Sequence, residues 1–157
     1  MPVPDFVVEL RKHIGHAPLW MAGVTAVVRD ERGHILLTHR ADTHEWALVS
    51  GILEPGEEPA VAIRREIAEE TGVEAEILRI TGVEVSPPIT YPNGDQAQYL
   101  DICFLAQHIH GNPTVTDDEN TEVGWFALTD LPDGLAQSTR ARLEIAQRDD
   151  PVTWFRR

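Results

Sequence analysis

The stretch from Gly51 to Val73 constrains this chain more than any other. It starts as a loop holding Gly51, Pro55 and Gly56. Pro59 follows where the first turn of a helix belongs, and the pattern predicts a helix running to Thr71 and stopped by Gly72. Each helical residue advances about 100°, so Glu66, Glu69 and Glu70, at i, i+3 and i+4, share one face. Ala60, Ile63 and Ile67 form the adjoining stripe, which places the three carboxylates at the margin of the core. Like charges at this spacing cost roughly 0.2–0.5 kcal/mol per pair even on an exposed helix. Burial adds the loss of hydration. Positive charge offsets both, and Arg65, four residues before Glu69, supplies one cation. Oxygen-only donors in this number suit a hard divalent ion such as Mg²⁺ or Mn²⁺. The alternative is a solvated glutamate-rich face on which Arg65 makes an ordinary surface ion pair. The loop adds backbone carbonyls and a further carboxylate, Glu57.

Around this stretch the chain alternates between helical and strand patterns. Asp5 onward reads as a short helix, with Phe6, Val7, Leu10 and Ile14 near helical spacing and Gly15 as its stop. Strands are expected over Ala22–Arg29, His34–Arg40 and Trp46–Val49, then over Glu74–Ser86, Gln96–Gln107 and Glu122–Leu128. Asp117–Thr121 is an acidic loop, and Leu135–Gln147 reads as a closing helix. Helices on both faces of a mixed sheet, an α/β class, follow from this order.

At 157 residues the chain has the length of about one domain. Twenty-six acidic and 13 basic residues give a net charge of −13, which argues against nucleic-acid polymers and anionic membrane surfaces. One cysteine, Cys103, excludes an internal disulfide, and it reads as a packed thiol inside an apolar strand. His108 and His110 alternate on a strand but lack a third ligand. The N-terminus has no signal-peptide pattern and no apolar run approaches bilayer length, so a cytoplasmic location is expected.

Gly51, five residues, Glu57, seven residues and then Arg65-Glu66-Ile67-Ala68-Glu69-Glu70-Thr71-Gly72-Val73 match the Nudix box in full, and on these residues the chain resembles the Nudix hydrolases. Leu36-Leu37, Arg40, Trp46, Trp125-Phe126 and Leu131-Pro132 extend the resemblance more loosely. It implies a single Nudix domain over residues 1–157, an α/β/α sandwich around a mixed central sheet. Residues 1–20 would be an N-terminal helical extension and 51–73 the box. It also implies hydrolysis of a nucleoside diphosphate linked to another group, with Mg²⁺ or Mn²⁺ held by Glu66, Glu69, Glu70 and the Gly51 carbonyl. Arg65 would orient Glu57 and Glu69. The general base is either a box glutamate such as Glu70 or an acid of the distant loop. The loop candidates are Asp117, Asp118, Glu119 and Glu122, of which Glu119 and Glu122 stand six and three residues before Trp125.

One departure lies just before the box. Nudix domains often carry Trp-x-x-Pro-Gly-Gly there, and this chain has Trp46-Ala47-Leu48-Val49-Ser50-Gly51. The Gly51 carbonyl is kept, but the stiffness of the loop is not. Pro88 resembles a marker of ADP-ribose hydrolases and Tyr91 one of dinucleoside polyphosphate hydrolases; turn chemistry accounts for both equally well. Leu36–Ala41 begins like a coenzyme A pyrophosphatase signature that the chain does not complete. The substrate expected is therefore a small nucleotide, ADP-ribose or a nucleoside diphosphate sugar. The alternatives are a nucleoside triphosphate such as 8-oxo-dGTP, or a nucleotide-sensing domain without turnover. Trp46 and Tyr91 are the candidates to stack on a base, and Arg29 and Arg40 to meet a phosphate. The apolar stripe of the first helix is expected to pack on a second copy as a homodimer.

Overall fold

A strand whose residues are all buried needs cover on both faces. Residues 23–28 are such a run, and they form the middle of the central strand. In the computed structural model, which describes residues 3–116, 118–148 and 150–157, the elements in chain order are α1 (Asp5–Ile14), β1 (Leu19–Arg29), β2 (Ile35–Arg40), β3 (Trp46–Ala47), β4 (Val49–Ile52), α2 (Pro59–Thr71), β5 (Glu74–Val85), β6 (Ile89–Thr90), β7 (Gln96–His110), β8 (Asn120–Phe126), α3 (Gln137–Ala146) and β9 (Trp154–Phe155). The main sheet order is β3-β2-β1-β7-β5-β9, with β4 also paired to β1, β6 to β7 and β8 to β2. The pairing of β1 with β7 is parallel and that of β5 with β7 antiparallel, so the sheet is mixed, as expected.

Two apolar clusters divide the core by face. Val24, Ala26, Val28 and Phe104 pack against Ala62, Ile63 and Ile67 of α2. Val27, Leu37, Cys103 and Leu105 pack with Leu143 and Ala146 of α3. Adjacent residues of β1 thus serve opposite layers, as the period of a strand requires. On the α3 side, Asp101 is buried where it accepts from Thr25 Oγ1 at 2.9 Å and pairs with Arg142 Nη2 at 2.9 Å.

The helix α2 has the predicted bounds. Pro59 stands at its start, and Gly72 ends it in the left-handed conformation (φ 66°), its N–H bonded to the Ala68 carbonyl. Several strands are longer than their patterns: β1 starts at Leu19, β7 reaches His110, and Trp46–Ile52 divides into two short strands. The C-terminal Trp154 and Phe155 pair with Gly82 and Val83 as an edge strand.

The first helix packs part of its stripe within the chain. Its Val7 is buried against Met21 and Ala97, with Phe6, Leu19, Ile52, Tyr91 and Tyr99 around them, while Leu10 and Ile14 of the same stripe stay exposed. No helix among the described residues is long and apolar enough to cross a membrane.

Candidate metal centre and its surroundings

The buried residues of α2 include Ile63, Glu66, Ile67 and Glu70, which is i, i+3, i+4 and i+7 spacing. Two glutamates thus occupy the stripe that normally holds aliphatic side chains. Glu66 is fully buried and Glu70 nearly so. Glu69 stands at the rim, its side chain 55% exposed. The three carboxylates thus differ in burial, two inside and one at the edge.

Arg65 joins them. Its Nε and Nη2 donate to the two Glu57 oxygens, each at 3.0 Å. Its Nη1 donates to Glu66 Oε1 at 2.8 Å and to Glu69 Oε2 at 3.1 Å. Three carboxylates raise the guanidinium's affinity for its proton, Glu57 contributing most. Arg65 in turn holds Glu57 below the usual carboxylate range. Burial has the opposite effect on Glu66, pushing its carboxyl up to about 7, with Arg65 pulling it down and Glu70 pushing it further up.

Gly51 fits against this cluster. A Cβ on Gly51 would overlap the Glu66 carboxyl group, so only glycine lets the β4 backbone lie on that side chain. The other Glu66 oxygen, Oε2, is buried with no hydrogen-bond partner among the described residues. A buried, unsatisfied carboxylate oxygen beside a backbone carbonyl strand suits a hard cation. Among the described residues, however, no three His, Cys, Asp or Glu side chains converge closely enough to ring an ion. Arg65 Nη1 stands between Glu66 and Glu69.

The acidic loop reaches the same place through a residue that the sequence patterns did not single out. Asn120 is buried at the start of β8, and its Nδ2 donates to Glu70 Oε2 at 3.1 Å. Glu119 precedes it, its carbonyl accepting from the Ala41 N–H at 2.7 Å. Glu122 lies exposed opposite His39. Asp118 is exposed, and Asp117 lies outside the described residues.

Of the four expected substrate contacts, two are placed here and two elsewhere. Arg40 pairs across the sheet with Asn120 and is held two-pronged by Asp42, at 2.8 and 2.9 Å. That pairing strengthens its hold on the proton, and Glu70 and Tyr91 lie close enough to add to the effect. The Tyr91 hydroxyl meets the Tyr99 hydroxyl at 2.8 Å. Arg29, by contrast, donates to the Ala146 carbonyl at 2.8 Å, on the α3 side of the sheet. Trp46 packs on that side too, its ring 4.8 Å from Phe126. Side-chain alternation along the strands thus turns Arg29 and Trp46 toward the α3 side. A cavity of about 550 Å³ also lies elsewhere, between Ile145, Arg148, Trp154 and Phe155.

The fold is an α/β/α layering in which one helix presents two buried glutamates against a glycine of the neighbouring strand. A sequence model of the NUDIX domain matches residues 19–147. The chain is 32% identical over 126 residues to a MutT-like protein of Streptomyces ambofaciens, covering 80% of this chain and 76% of that one. It is 29% identical over 138 residues to the NAD-capped RNA hydrolase NudC of Vibrio atlanticus, covering 87% of this chain but only 48% of NudC. A crystal structure of a MutT NUDIX hydrolase from Burkholderia pseudomallei superposes with a TM-score of 0.69 at 32% identity, over 82% of this chain and 99% of that one. The chain belongs to the Nudix hydrolase family, enzymes acting on nucleotide diphosphate substrates.

Proposed function

We propose that the described residues act as one Nudix unit that hydrolyses the phosphoric anhydride of a nucleoside diphosphate joined to a second group, ADP-ribose or a nucleoside diphosphate sugar being favoured. The observation that supports this reading best is the buried pair Glu66 and Glu70 on the aliphatic stripe of α2. Folding alone gives no reason to keep two ionisable groups there. Nudix hydrolases generally use divalent metals, and Mg²⁺ or Mn²⁺ is the reading that the all-oxygen donor set favours. Glu66, Glu70 and the Gly51 carbonyl would hold such an ion, with Glu69 joining once it leaves Arg65. A bound divalent ion supplies neutralisation of diphosphate charge and a more acidic water.

The chain's own residues divide the remaining work. Arg65 bridges Glu57, Glu66 and Glu69 and fixes their spacing. Asn120 fixes one oxygen of Glu70. Arg40, already charged and half-buried beside Glu70, is placed to meet a phosphate, with Asp42 holding it meanwhile. The proton from the attacking water goes to Glu70, Glu119 or Glu122.

A sensing role without turnover is disfavoured because every box glutamate is present. The net charge of −13 opposes contact with a long phosphate backbone, but it does not oppose recognition of one terminal diphosphate, such as a nucleotide cap. A substrate panel tests the proposal: ADP-ribose, UDP-glucose, NAD, 8-oxo-dGTP and NAD-capped RNA, each with Mg²⁺ and with Mn²⁺. Turnover of ADP-ribose or the sugar nucleotide above the others is expected. Turnover of none of them sinks the reading, and heavy-oxygen water locates the attacked phosphorus for any that react.

A further inference from the structure

The first helix lies outside the stretch that matches the family, yet it is tied to the wall beside Arg40. Arg11 is the tie. Its side chain is only 13% exposed. Nη1 donates to the Gly15 and Ala17 carbonyls at 3.0 and 2.6 Å, Nη2 donates to the Gln96 carbonyl at 2.7 Å, and Nε lies 3.5 Å from Asp95 Oδ1. His16 Nδ1, from the same end of α1, meets that Asp95 oxygen at 2.8 Å.

Asp95 and Gln96 close a turn whose other end is Tyr91. The Tyr91 N–H donates to the Asp95 carbonyl and the Gly94 N–H donates to the Tyr91 carbonyl, both at 2.9 Å. Thr90 pairs with Gln96 across the hairpin. From this turn Tyr91 projects its hydroxyl to Tyr99 at 2.8 Å. Tyr91 also lies close enough to Arg40 to act on its charge. Contacts therefore run from Arg11 through the turn to the two tyrosines beside Arg40.

We infer that Arg11 is a positioning residue for substrate recognition: by clamping the Tyr91–Asp95 turn to α1 it fixes where the paired tyrosine hydroxyls stand relative to Arg40. This rests on the proposed hydrolase reading. A guanidinium suits the task because its rigid fork serves carbonyls on two segments at once. Lysine offers one ammonium and cannot span them. The role differs from that of a fold staple, since Val7, Phe6 and Met21 already pack α1 onto the sheet.

Arg11→Ala, Arg11→Lys, Tyr91→Phe and the Arg11→Ala/Tyr91→Phe double variant test the inference. Two readouts are used: ADP-ribose hydrolysis with Mg²⁺, and hydrogen exchange of the Tyr91 and Gly94 amides, which needs no turnover. In Arg11→Ala, KM should rise at least fivefold with kcat within twofold, and both amides should exchange at least tenfold faster while α2 amides keep their rates. Arg11→Lys should recover less than half of the KM loss, and the double variant should be little worse than Tyr91→Phe. Unchanged KM, KM effects that simply multiply, or unchanged exchange would overturn it. If the wild-type chain does not hydrolyse ADP-ribose, it is the substrate reading that fails, and exchange alone decides here: a loosened turn supports the clamp and an unchanged one ends it.

Discussion

Arg65 grips Glu57 with two parallel bonds, Nε to Oε1 and Nη2 to Oε2, each 3.0 Å long. The pair spans eight residues, from the loop ahead of α2 into the helix itself. Because the same guanidinium also reaches Glu66 and Glu69, it sets the spacing of three acids.

Replacing Arg65 should therefore disturb chemistry more than folding. The Arg65–Glu69 pair is part-exposed and adds little stability, and buried Glu66, with its carboxyl pushed up to about 7, can take up a proton when the guanidinium is lost. Arg65→Ala leaves Glu57, Glu66 and Glu69 to repel one another. It should lower kcat on the wild type's best substrate at least thirtyfold, with a melting temperature within a few degrees. Arg65→Lys should recover only part, since lysine lacks the fork. Steady-state kinetics beside thermal melts check this; full activity in the alanine variant would remove Arg65 from the machinery.

Glu69 and Glu70 differ in burial but are expected to share a fate. Glu69→Gln and Glu70→Gln should each cut turnover by at least two orders of magnitude while circular dichroism stays native. Glu70→Gln keeps an acceptor for Asn120, so its fold should be the less disturbed. A variant with normal Mg²⁺-dependent rates would refute the role of that residue.

Much of this was legible beforehand because two periodicities are strict. The α2 helix was bounded by Pro59 and Gly72, whose backbone preferences admit few alternatives. The difference in burial between Glu69 and its neighbours was not legible. A spacing of three or four residues tolerates an angular spread, and which glutamate turns inward depends on where β4 and β8 press. Asn120 was invisible for a related reason: its partner Glu70 is fifty residues away, and nothing local marks an asparagine that caps a buried acid. That Arg29 and Trp46 lie on the α3 side was not legible either, because the face a strand residue points to depends on register, which sequence leaves open. Arg11 went unnoticed because its partners are mainly backbone carbonyls, which carry no residue signature.

Binding of a divalent ion should be visible without any substrate. A ligand held only by the folded state at 100 times its Kd adds about 2.7 kcal/mol. For a domain of this size that is roughly 5–11 °C in Tm. Mg²⁺ or Mn²⁺ should raise the melting temperature by that order, and Glu66→Gln should remove most of the rise. Calorimetric scans with and without a chelator check it; an equal rise in the variant would place the ion elsewhere.

Cys103 offers a pH test on the far side of the sheet. Burial pushes its thiol up to about 11, the main cause being loss of hydration of the thiolate. The folded value is raised above the unfolded one. Its contribution to stability is thus complete below the unfolded pKa, near 8.5, and fades as pH climbs through about 11. Native protein should resist iodoacetamide at pH 8 and react in urea at the rate of a free thiol. Rapid native alkylation at pH 8, read by mass, would contradict the burial.

Gly51 provides the sharpest test of the centre, because it separates backbone freedom from space. Its φ does not lie in the left-handed region, so alanine there pays no conformational penalty. The obstacle is steric alone: the added methyl would occupy the place of the Glu66 carboxyl. Either Glu66 swings away from Arg65, or β4 lifts from β1, where Gly51 faces Val24. Both displace the carbonyl from the buried acid that it is proposed to work with. Gly51→Ala should then lower kcat/KM at least thirtyfold and weaken the Mg²⁺-induced rise in Tm. Glycine at the neighbouring position is the control. Ser50→Gly, which enlarges nothing, should keep both within a factor of three, and the same loss in both variants would mean that loop flexibility, not the Gly51–Glu66 contact, governs the site.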